Sequence, residues 1–222
     1  MTQPIPKEIP FNTEFAFWIG FLLSDGCIGE KSVQAVQKNY PKALDEFVAI
    51  SQKYGFKVAV SERKGCRYAT IYSKPLIEYL KIRFGVLGGK DKEIPSWFLS
   101  WSDEMNREFV KTFIGLESSL RDNRIVFTQK SKNNVNIISY MLLREGIISY
   151  PRFDERIYRL KIQGEDCVNF IKRIGWIDTK KAEIVDIERS IRSSFRVVPV
   201  KRSAILQLVE TLGYNSFHTL KE

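Results

Sequence analysis

The clearest pattern in the sequence is the segment 14–24, EFAFWIGFLLS, in which apolar side chains occur almost all round a helix. It follows Asn12-Thr13, a suitable N-cap, and it stops at Asp25-Gly26. A helix without a polar face has to be buried on all sides. The pattern therefore predicts a buried helix that ends at an acid.

The positions after this helix predict strands and helices in alternation. Ala43, Leu44 and Phe47 follow helical spacing, and Pro75 suits the first turn of a later helix. We predict strands near 27–31 and 33–38, a helix at 41–53, strands near 56–62 and 67–73, and a helix from Pro75 to about Phe84.

An internal repeat connects this half of the chain to the rest. A second apolar segment, FVKTFIGLE, ends at Glu117, which is 92 positions after Asp25. The pairs Gln37-Lys38 and Gln129-Lys130 are also 92 positions apart. A repeat of this length predicts two copies of one structural unit.

The second half is therefore predicted to repeat the first. Its elements are a helix at 103–117, strands near 124–130, 147–152 and 157–162, and helices at 132–145 and 165–174. The fold class is α+β, with two pseudo-symmetric α-β-β-α-β-β-α halves. We assign the first repeat to 1–88, a linker to 89–102, the second repeat to 103–177, and a basic and helical extension to 178–222.

Charge points to the kind of partner. The chain has 35 lysine and arginine residues against 26 acids, a formal net charge of +9. Because 44% of the residues are hydrophobic, the chain can bury a core, and the excess charge belongs to a folded surface. A polyanion is the first candidate partner, and simple solubility is the alternative.

The residue inventory excludes several kinds of chemistry. Three cysteines without a CxxC spacing argue against a disulfide framework or a zinc site. His218 is the sole histidine, so histidine-based catalytic sites cannot be built and any hydrolysis has to use carboxylates. No apolar run is long enough for a membrane span. We expect a reducing intracellular setting, the cytoplasm of a prokaryote or an organelle, and no membrane partner.

The two apolar segments resemble a known family. FWIGFLLSDG at 17–26 and FVKTFIGLESS at 109–119 are similar to the two signature helices of the LAGLIDADG homing endonucleases of the single-chain, two-repeat type. GGKDKEIPSWF, before the second helix, is similar to the charged, proline-containing entry of this family. The resemblance covers about residues 14–177. It implies two halves packed through the signature helices and two curved antiparallel sheets that form a DNA-binding saddle.

The chemistry of the signature helices explains the residues at their ends. Gly20 and Ser24 lie four positions apart on one face, so two such helices can approach closely. If they do, Asp25 and Glu117 meet, and two carboxylates repel unless a divalent cation such as Mg²⁺ binds between them. The alternative is that Asp25 caps a helix end and Glu117 is a solvated acid.

The Gln-Lys pairs and the strands provide further candidates. Gln37, Lys38, Gln129 and Lys130 are expected near the metal, where either member of each pair orients water or screens charge, or else they are polar edge residues. The saddle candidates are basic or polar strand residues, whose alternative role is a solvated face. They are Arg63, Arg67, Tyr68, Thr70, Tyr72, Arg121, Arg124, Arg152, Arg156, Arg159 and Lys161.

The second signature departs from the family pattern. Thr112 and Ser118 stand where a small residue and a glycine are expected, and Leu116 precedes Glu117. Close helix packing is harder there, and we expect Gly115 to compensate in part. The departures raise the alternative of a strand-biased nuclease or of a relative without cleavage.

Three functions follow from these observations. The leading one is a monomeric, magnesium-dependent endonuclease that binds a long double-stranded DNA site with two unequal halves and cuts both strands. The second is a maturase that binds intron RNA, and the third is a DNA-binding regulator that does not cut. An intein origin is not expected, because the chain starts at methionine and no splice-junction residues stand at its ends.

Overall fold

The computed structural model describes residues 9–84, 92–153 and 156–178. Over these ranges the chain folds into two halves with the same order of helices and strands, which confirms the predicted α+β class. Within the same ranges, no helix is long and apolar enough to cross a membrane. The predicted extension lies outside the described residues from position 179 onward, and so does its basic stretch at 189–202.

The first half is a four-stranded antiparallel sheet with helices on one face. Its strands follow the order β1-β2-β4-β3. The elements are α1 (Thr13–Asp25), β1 (Gly26–Ile28), β2 (Val33–Gln37), α2 (Pro41–Lys53), β3 (Val58–Arg63), β4 (Cys66–Ile71) and α3 (Lys74–Phe84).

The second half repeats this topology with the strand order β5-β6-β8-β7. Its first strand, β5, was not among the strands named from the sequence, because SSLR has no β-branched or aromatic residue. The elements are α4 (Asp103–Glu117), β5 (Ser118–Arg121), β6 (Arg124–Gln129), α5 (Lys132–Arg144), β7 (Tyr150–Phe153), β8 (Tyr158–Gln163) and α6 (Glu165–Arg173).

Side-chain caps fix where α1 and α4 begin. The Asn12 side chain accepts a hydrogen bond from the backbone N–H of Phe15 at 3.0 Å, as the sequence predicted for α1. Ser102 plays the same part for α4 and accepts from the N–H of Met105 at 3.3 Å. Each cap satisfies a backbone donor that the helix itself leaves without a partner.

Tight turns set the register of one hairpin in each half. Lys64 and Gly65 join β3 to β4 with φ of 52° and 71°, and Asp122 and Asn123 join β5 to β6 with φ of 49° and 54°. Two-residue turns with positive φ match the right-handed twist of antiparallel strands. The turns therefore decide which side chains face the helices and which lie on the open face of each sheet.

The two halves meet through α1 and α4, the two signature helices. A Cβ added at Gly20 would lie 3.3 Å from Phe109 Cδ2 and 3.3 Å from Thr112 Cβ, so the helices approach closely at this point. The Thr112 hydroxyl donates to Glu108 O at 2.9 Å and the Ser24 hydroxyl donates to Gly20 O at 3.0 Å. Because both hydroxyls bond within their own helix, Thr112 and Ser24 fit a buried interface.

Gly115 does not compensate at this interface as the sequence led us to expect. A Cβ added there would lie 2.9 Å from the side chain of Ile177, near the end of the described chain. Gly115 therefore makes room for the segment after α6, and the approach of α1 to α4 depends on Gly20 facing Thr112. Leu116 is partly buried against the core.

The described part of the predicted linker is an ordered part of the core. A short 3₁₀ helix, Ser96–Ser100, places Phe98 in a stack on Trp101, with ring centroids 3.9 Å apart. Phe98 also meets the ring of Phe109 on α4 edge to face at 5.1 Å. Both Phe98 and Phe109 are completely buried, so the connection packs against the helix pair that joins the halves.

We predict that Gly20→Leu lowers the free energy of unfolding by about 1–3 kcal/mol or more, because the added side chain forces α1 away from Phe109 and Thr112. Chemical denaturation measures the change. Gly29→Leu is the matched control, since a Cβ at Gly29 meets only Ser32 O at 3.6 Å within 4 Å. Equal stability of the two variants would contradict the close approach.

Candidate active site and nucleic-acid interface

Asp25 and Glu117 are the last residues of α1 and α4. Gly26 follows the first helix in extended backbone, and this position requires glycine because an added Cβ would clash with the carbonyl group of Leu22. Ser118 ends the second helix differently, with its hydroxyl bonded to the carbonyl oxygen of Ile114. Gly26 and Ser118 thus occupy equivalent positions in the two halves. Each is the first residue of the strand that follows the acid.

Gln37 holds the Asp25 carboxylate. Its amide nitrogen donates to Asp25 Oδ2 at 2.6 Å. Its amide oxygen accepts from the backbone N–H groups of Lys38 at 2.8 Å and Asn39 at 2.9 Å, and from that of Tyr40 at 3.3 Å. These acceptor bonds fix the amide, so the nitrogen of this buried side chain points at the acid. In the first half, glutamine is the member of the Gln-Lys pair that contacts the carboxylate.

The two acids share one electrostatic environment. Burial raises the pKa of Asp25, and the hydrogen bond from Gln37 and the charge of Lys92 oppose this increase. Burial, with a further contribution from the Asp25 charge, raises the pKa of Glu117 to about 7. The protein therefore does not fully offset the cost of ionising either carboxyl group. A bound cation lowers that cost, because it stabilises the ionised form.

Lys92 interacts electrostatically with both acids and was not among the residues predicted from the sequence. Its ammonium group donates to Ser24 O and Gly26 O at 2.7 Å each and to Leu22 O at 3.2 Å. These are carbonyls at the C-terminal end of α1, where a cation is favoured by the helix dipole. Burial lowers the pKa of Lys92, and the charges of Glu117 and Asp25 oppose this decrease.

A groove of about 440 Å³ opens beside Glu117 and Lys92. Both members of the second Gln-Lys pair line it, so the structure does not select one of them as it does in the first half. Lys38 and Lys130 are exposed. The groove is lined by Leu23, Lys92, Glu117, Thr128, Gln129, Lys130 and Ile157.

The donor set fits a hard divalent cation. Among the described residues, no three histidine, cysteine, aspartate or glutamate side chains lie close enough together to hold a metal ion. A closed structural metal site usually has four such ligands. Mg²⁺ is commonly bound by one or two carboxylates, with water and substrate phosphate as the other ligands. When both acids are ionised, Asp25 and Glu117 carry two negative charges against the single positive charge of Lys92, and this excess attracts a cation.

The second sheet presents a basic open face. The strand register places Ile125, Phe127 and Leu160 toward the helices and their neighbours on the opposite side. Five predicted saddle residues lie on that open side: Arg121, Arg124, Arg152, Arg159 and Lys161. The sixth predicted residue of this half, Arg156, is exposed just before β8.

The predicted residues of the first sheet are divided between its two faces. Tyr68 and Thr70 lie on the open face, and Arg63 shares it at the end of β3. Arg67 lies on the helix side, where its guanidinium pairs with Asp45 of α2 at 2.7 Å. Tyr72 follows β4 and is 56% exposed. The structure therefore does not bring Arg67 together with the other saddle residues.

The second half matches a known family. Residues 104–175 match the family model described as a LAGLIDADG-like domain, which spans most of α4 and continues just beyond α6.

Two curated relatives come from Methanocaldococcus jannaschii. The replication factor C small subunit is 25% identical over 222 residues, which is 93% of this chain and 12% of that protein. The probable translation initiation factor IF-2 is 26% identical over 207 residues, which is 85% of this chain and 17% of that protein. The chain thus spans less than a fifth of the length of either relative.

Solved structures share the fold at low sequence identity. I-DmoI in complex with DNA and Mn has a TM-score of 0.58 at 15% identity, covering 73% of this chain and 96% of its own. The homing endonuclease I-WcaI bound to its DNA recognition sequence has a TM-score of 0.59 at 16% identity, covering 78% and 86%. Full-length DUF199/WhiA from Thermatoga maritima has a TM-score of 0.54 at 14% identity, covering 93% and 69%.

The family match and the likeness of the folds confirm the resemblance that was identified in the sequence. The chain has the fold of the LAGLIDADG homing endonucleases and contains a LAGLIDADG-like domain at residues 104–175.

Proposed function

We propose that the protein is a divalent-metal-dependent DNA endonuclease that binds a long duplex with two unequal halves and hydrolyses both strands. The observation that carries this proposal is the electrostatic interaction of Asp25 with Glu117, one acid from each half, where Glu117 lines a groove. The groove opens next to Thr128 of β6, whose sheet has a basic open face. Phosphodiester cleavage needs such a meeting of metal-binding carboxylates with a surface that holds phosphates.

The solved relatives support the substrate class. I-DmoI is seen with DNA and Mn or Ca, and I-WcaI with its DNA recognition sequence. The names of the two curated relatives refer to replication and to translation, and the match covers less than a fifth of either. Since one shared segment cannot account for both activities, neither activity is proposed for this chain.

The residues of the site have separate roles in this proposal. Asp25 and Glu117 would hold the metal, and Gln37 keeps the Asp25 carboxylate oriented. A bound divalent ion supplies an activated water and stabilises the leaving oxygen of the cleaved bond. Lys92 limits the repulsion between the acids, and Lys130 in the groove would face the phosphate.

Assembly follows from the internal repeat. One chain provides both signature helices and both sheets, so a second copy is not needed to complete the site. We therefore propose that a monomer binds one duplex. The predicted use of magnesium and the alternative of intron RNA as a partner both remain predictions.

Duplex binding without cleavage is the second candidate function, and Lys92 is the observation that favours it. Its ammonium group interacts electrostatically with both acids and bonds to three carbonyl oxygens at the end of the first signature helix. A resident cation reduces the need for a metal at this point.

Selection from a randomised duplex library in the presence of Mg²⁺ separates the two candidates. The proposed nuclease yields duplexes that are cut on both strands. Recovery of bound duplexes that are never cut would favour the second candidate, and recovery of neither would reject both.

We predict that Asp25→Asn and Glu117→Gln each reduce cleavage by orders of magnitude, because the carboxylates that would hold the metal are lost. Duplex binding should persist, since phosphate and base contacts come from the sheets. Without metal, neither variant should melt below the wild type, because a buried like charge is removed. Cleavage rates and melting temperatures are the measurements, and exposed Asp45→Asn is the control. A variant that cuts at the wild-type rate would remove that residue from the site.

The raised pKa of Glu117 predicts a pH-dependent stability in the absence of metal. Below an ordinary carboxyl pKa of 4.5 both the folded and the unfolded chain hold the proton. Between 4.5 and about 7 only the folded chain holds it, so the free energy of unfolding falls as pH rises through this window, by roughly 1–3 kcal/mol. Urea denaturation at several pH values measures the decrease, which Glu117→Gln should make smaller. Identical pH profiles of wild type and variant would contradict this result.

Lys92→Met should show what the resident cation contributes. We predict a free energy of unfolding lower by about 1–3 kcal/mol, because three carbonyl oxygens of α1 lose a charged donor. The fall of stability with pH should also extend to higher pH, since Glu117 loses a neighbouring positive charge. Lys130→Met is the matched control, a lysine that lines the same groove and is exposed. If the two variants are equally stable at every pH, Lys92 does not act as described.

A further inference from the structure

The open faces of the two sheets can be compared position by position, because the halves repeat with an offset of 91 or 92 residues. The pairs Gln37↔Arg67 and Gln129↔Tyr158 occupy the same place in the two sheets and fix this correspondence. The comparison shows how two sheets with one topology differ in charge.

The five cations placed on the open face of the second sheet each correspond to an uncharged residue in the first half, whose own open face carries Arg63 at the end of β3. Arg121 and Arg124 correspond to Gly29 and Ser32, where a backbone hydrogen bond closes the equivalent turn. The remaining three correspond to residues of β3 and β4 on the first open face. The matched pairs are Arg152 with Ser61, Arg159 with Tyr68 and Lys161 with Thr70.

The cations of the second sheet are arranged in a way that favours an anionic partner. Arg121 stands directly opposite Arg124 in the β5–β6 pair. Like charges in directly opposed positions destabilise a sheet. A row of phosphates over this face would convert the repulsion into attraction, because each phosphate brings a negative charge close to the guanidinium groups.

The open face of the first sheet instead has a fixed hydrogen-bonding group at its centre. The Gln34 amide nitrogen donates to the Thr70 hydroxyl oxygen at 3.1 Å across the β2–β4 pair. The bond uses one of two donor hydrogens and none of the acceptor capacity of the amide. An amide of this kind pairs in bidentate fashion with the N6 and N7 atoms of adenine in the major groove.

We infer that the two sheets divide the binding of the duplex between them. The second sheet anchors the complex through phosphates, and the first sheet reads base edges, with Gln34 as the residue that selects an adenine. The inference depends on the proposed binding of duplex DNA and is independent of cleavage.

The first experiment measures duplex binding against salt concentration for the full chain, without magnesium, on a duplex selected from a randomised library. The double variant Arg124→Ser with Lys161→Thr installs the residues of the first half at two anchor positions. The control, Lys42→Ser with Lys172→Ser, removes the same charge from exposed positions on α2 and α6.

The anchor variant should reduce the slope of log affinity against log salt concentration by about 1 to 2, since each phosphate contact contributes about 0.9. The control should leave the slope within its error. Thermal melting should show the anchor variant at least as stable as the wild type, because the Arg121–Arg124 repulsion is removed. Equal slopes for the two double variants would overturn the anchor role.

The second experiment compares the base preferences of the wild type, Gln34→Ala and Ser61→Ala by sequencing the bound fraction of the same library. Gln34→Ala should lose the preference for adenine at one position in one half of the site and keep the wild-type salt slope. Ser61→Ala, on the same face, should keep that adenine. Unchanged preference in Gln34→Ala would overturn the reading role.

The outcomes separate this inference from the proposed function. Binding with the predicted slopes and preferences but without cleavage would reject the nuclease and leave the division of binding intact. Cleavage by the wild type, together with equal salt slopes for the two double variants, would support the nuclease and reject the anchor role of the second sheet. No binding of any duplex by the wild type would reject both.

Discussion

The close approach of α1 and α4 is the constraint on which the rest of the structure depends. Because Gly20 leaves room for Phe109 and Thr112, the two helices run side by side to their C-terminal ends, and each ends at an acid. Holding two carboxylates away from water is unfavourable: burial raises the pKa of both acids, and the charge of Asp25 adds to the increase at Glu117. The structure holds an unfavourable pair in place through the packing of a large apolar interface.

The two acids have different neighbours. Asp25 is oriented by Gln37, which is itself held by backbone N–H groups, and Lys92 caps the helix that ends at Asp25. Glu117 ends the helix of the other half, and its pKa is raised to about 7. The open faces of the sheets also differ: five cations lie on that of the second sheet, whereas that of the first has Arg63 at the end of β3 and uncharged residues at the matched positions. A repeat with one topology has thus become two unequal halves.

The sequence predicted the features that repeat between the two halves, and it did not predict those that occur only once. The signature helices, the two acids and the Gln-Lys pairs repeat in register. The assignment of each segment in one half could therefore be checked against its counterpart in the other half. Lys92 has no counterpart in the repeat and is 67 positions from Asp25, so only the folded chain brings it to the end of α1. Arg67 alternates in step with the buried Ala69 and Ile71 of β4, so it lies on the helix side; grouping it with Tyr68, Thr70 and Tyr72 as one binding face overlooked this alternation.

The central claim is that Asp25 and Glu117 meet at one site, and the titration of Glu117 tests it most directly. Carboxyl NMR of the metal-free chain should show Glu117 titrating near pH 7, and in Asp25→Asn the same carboxyl should titrate at lower pH, because a neighbouring negative charge is gone. An ordinary pKa for Glu117 in the wild type, or a raised value that Asp25→Asn leaves unchanged, would contradict the account.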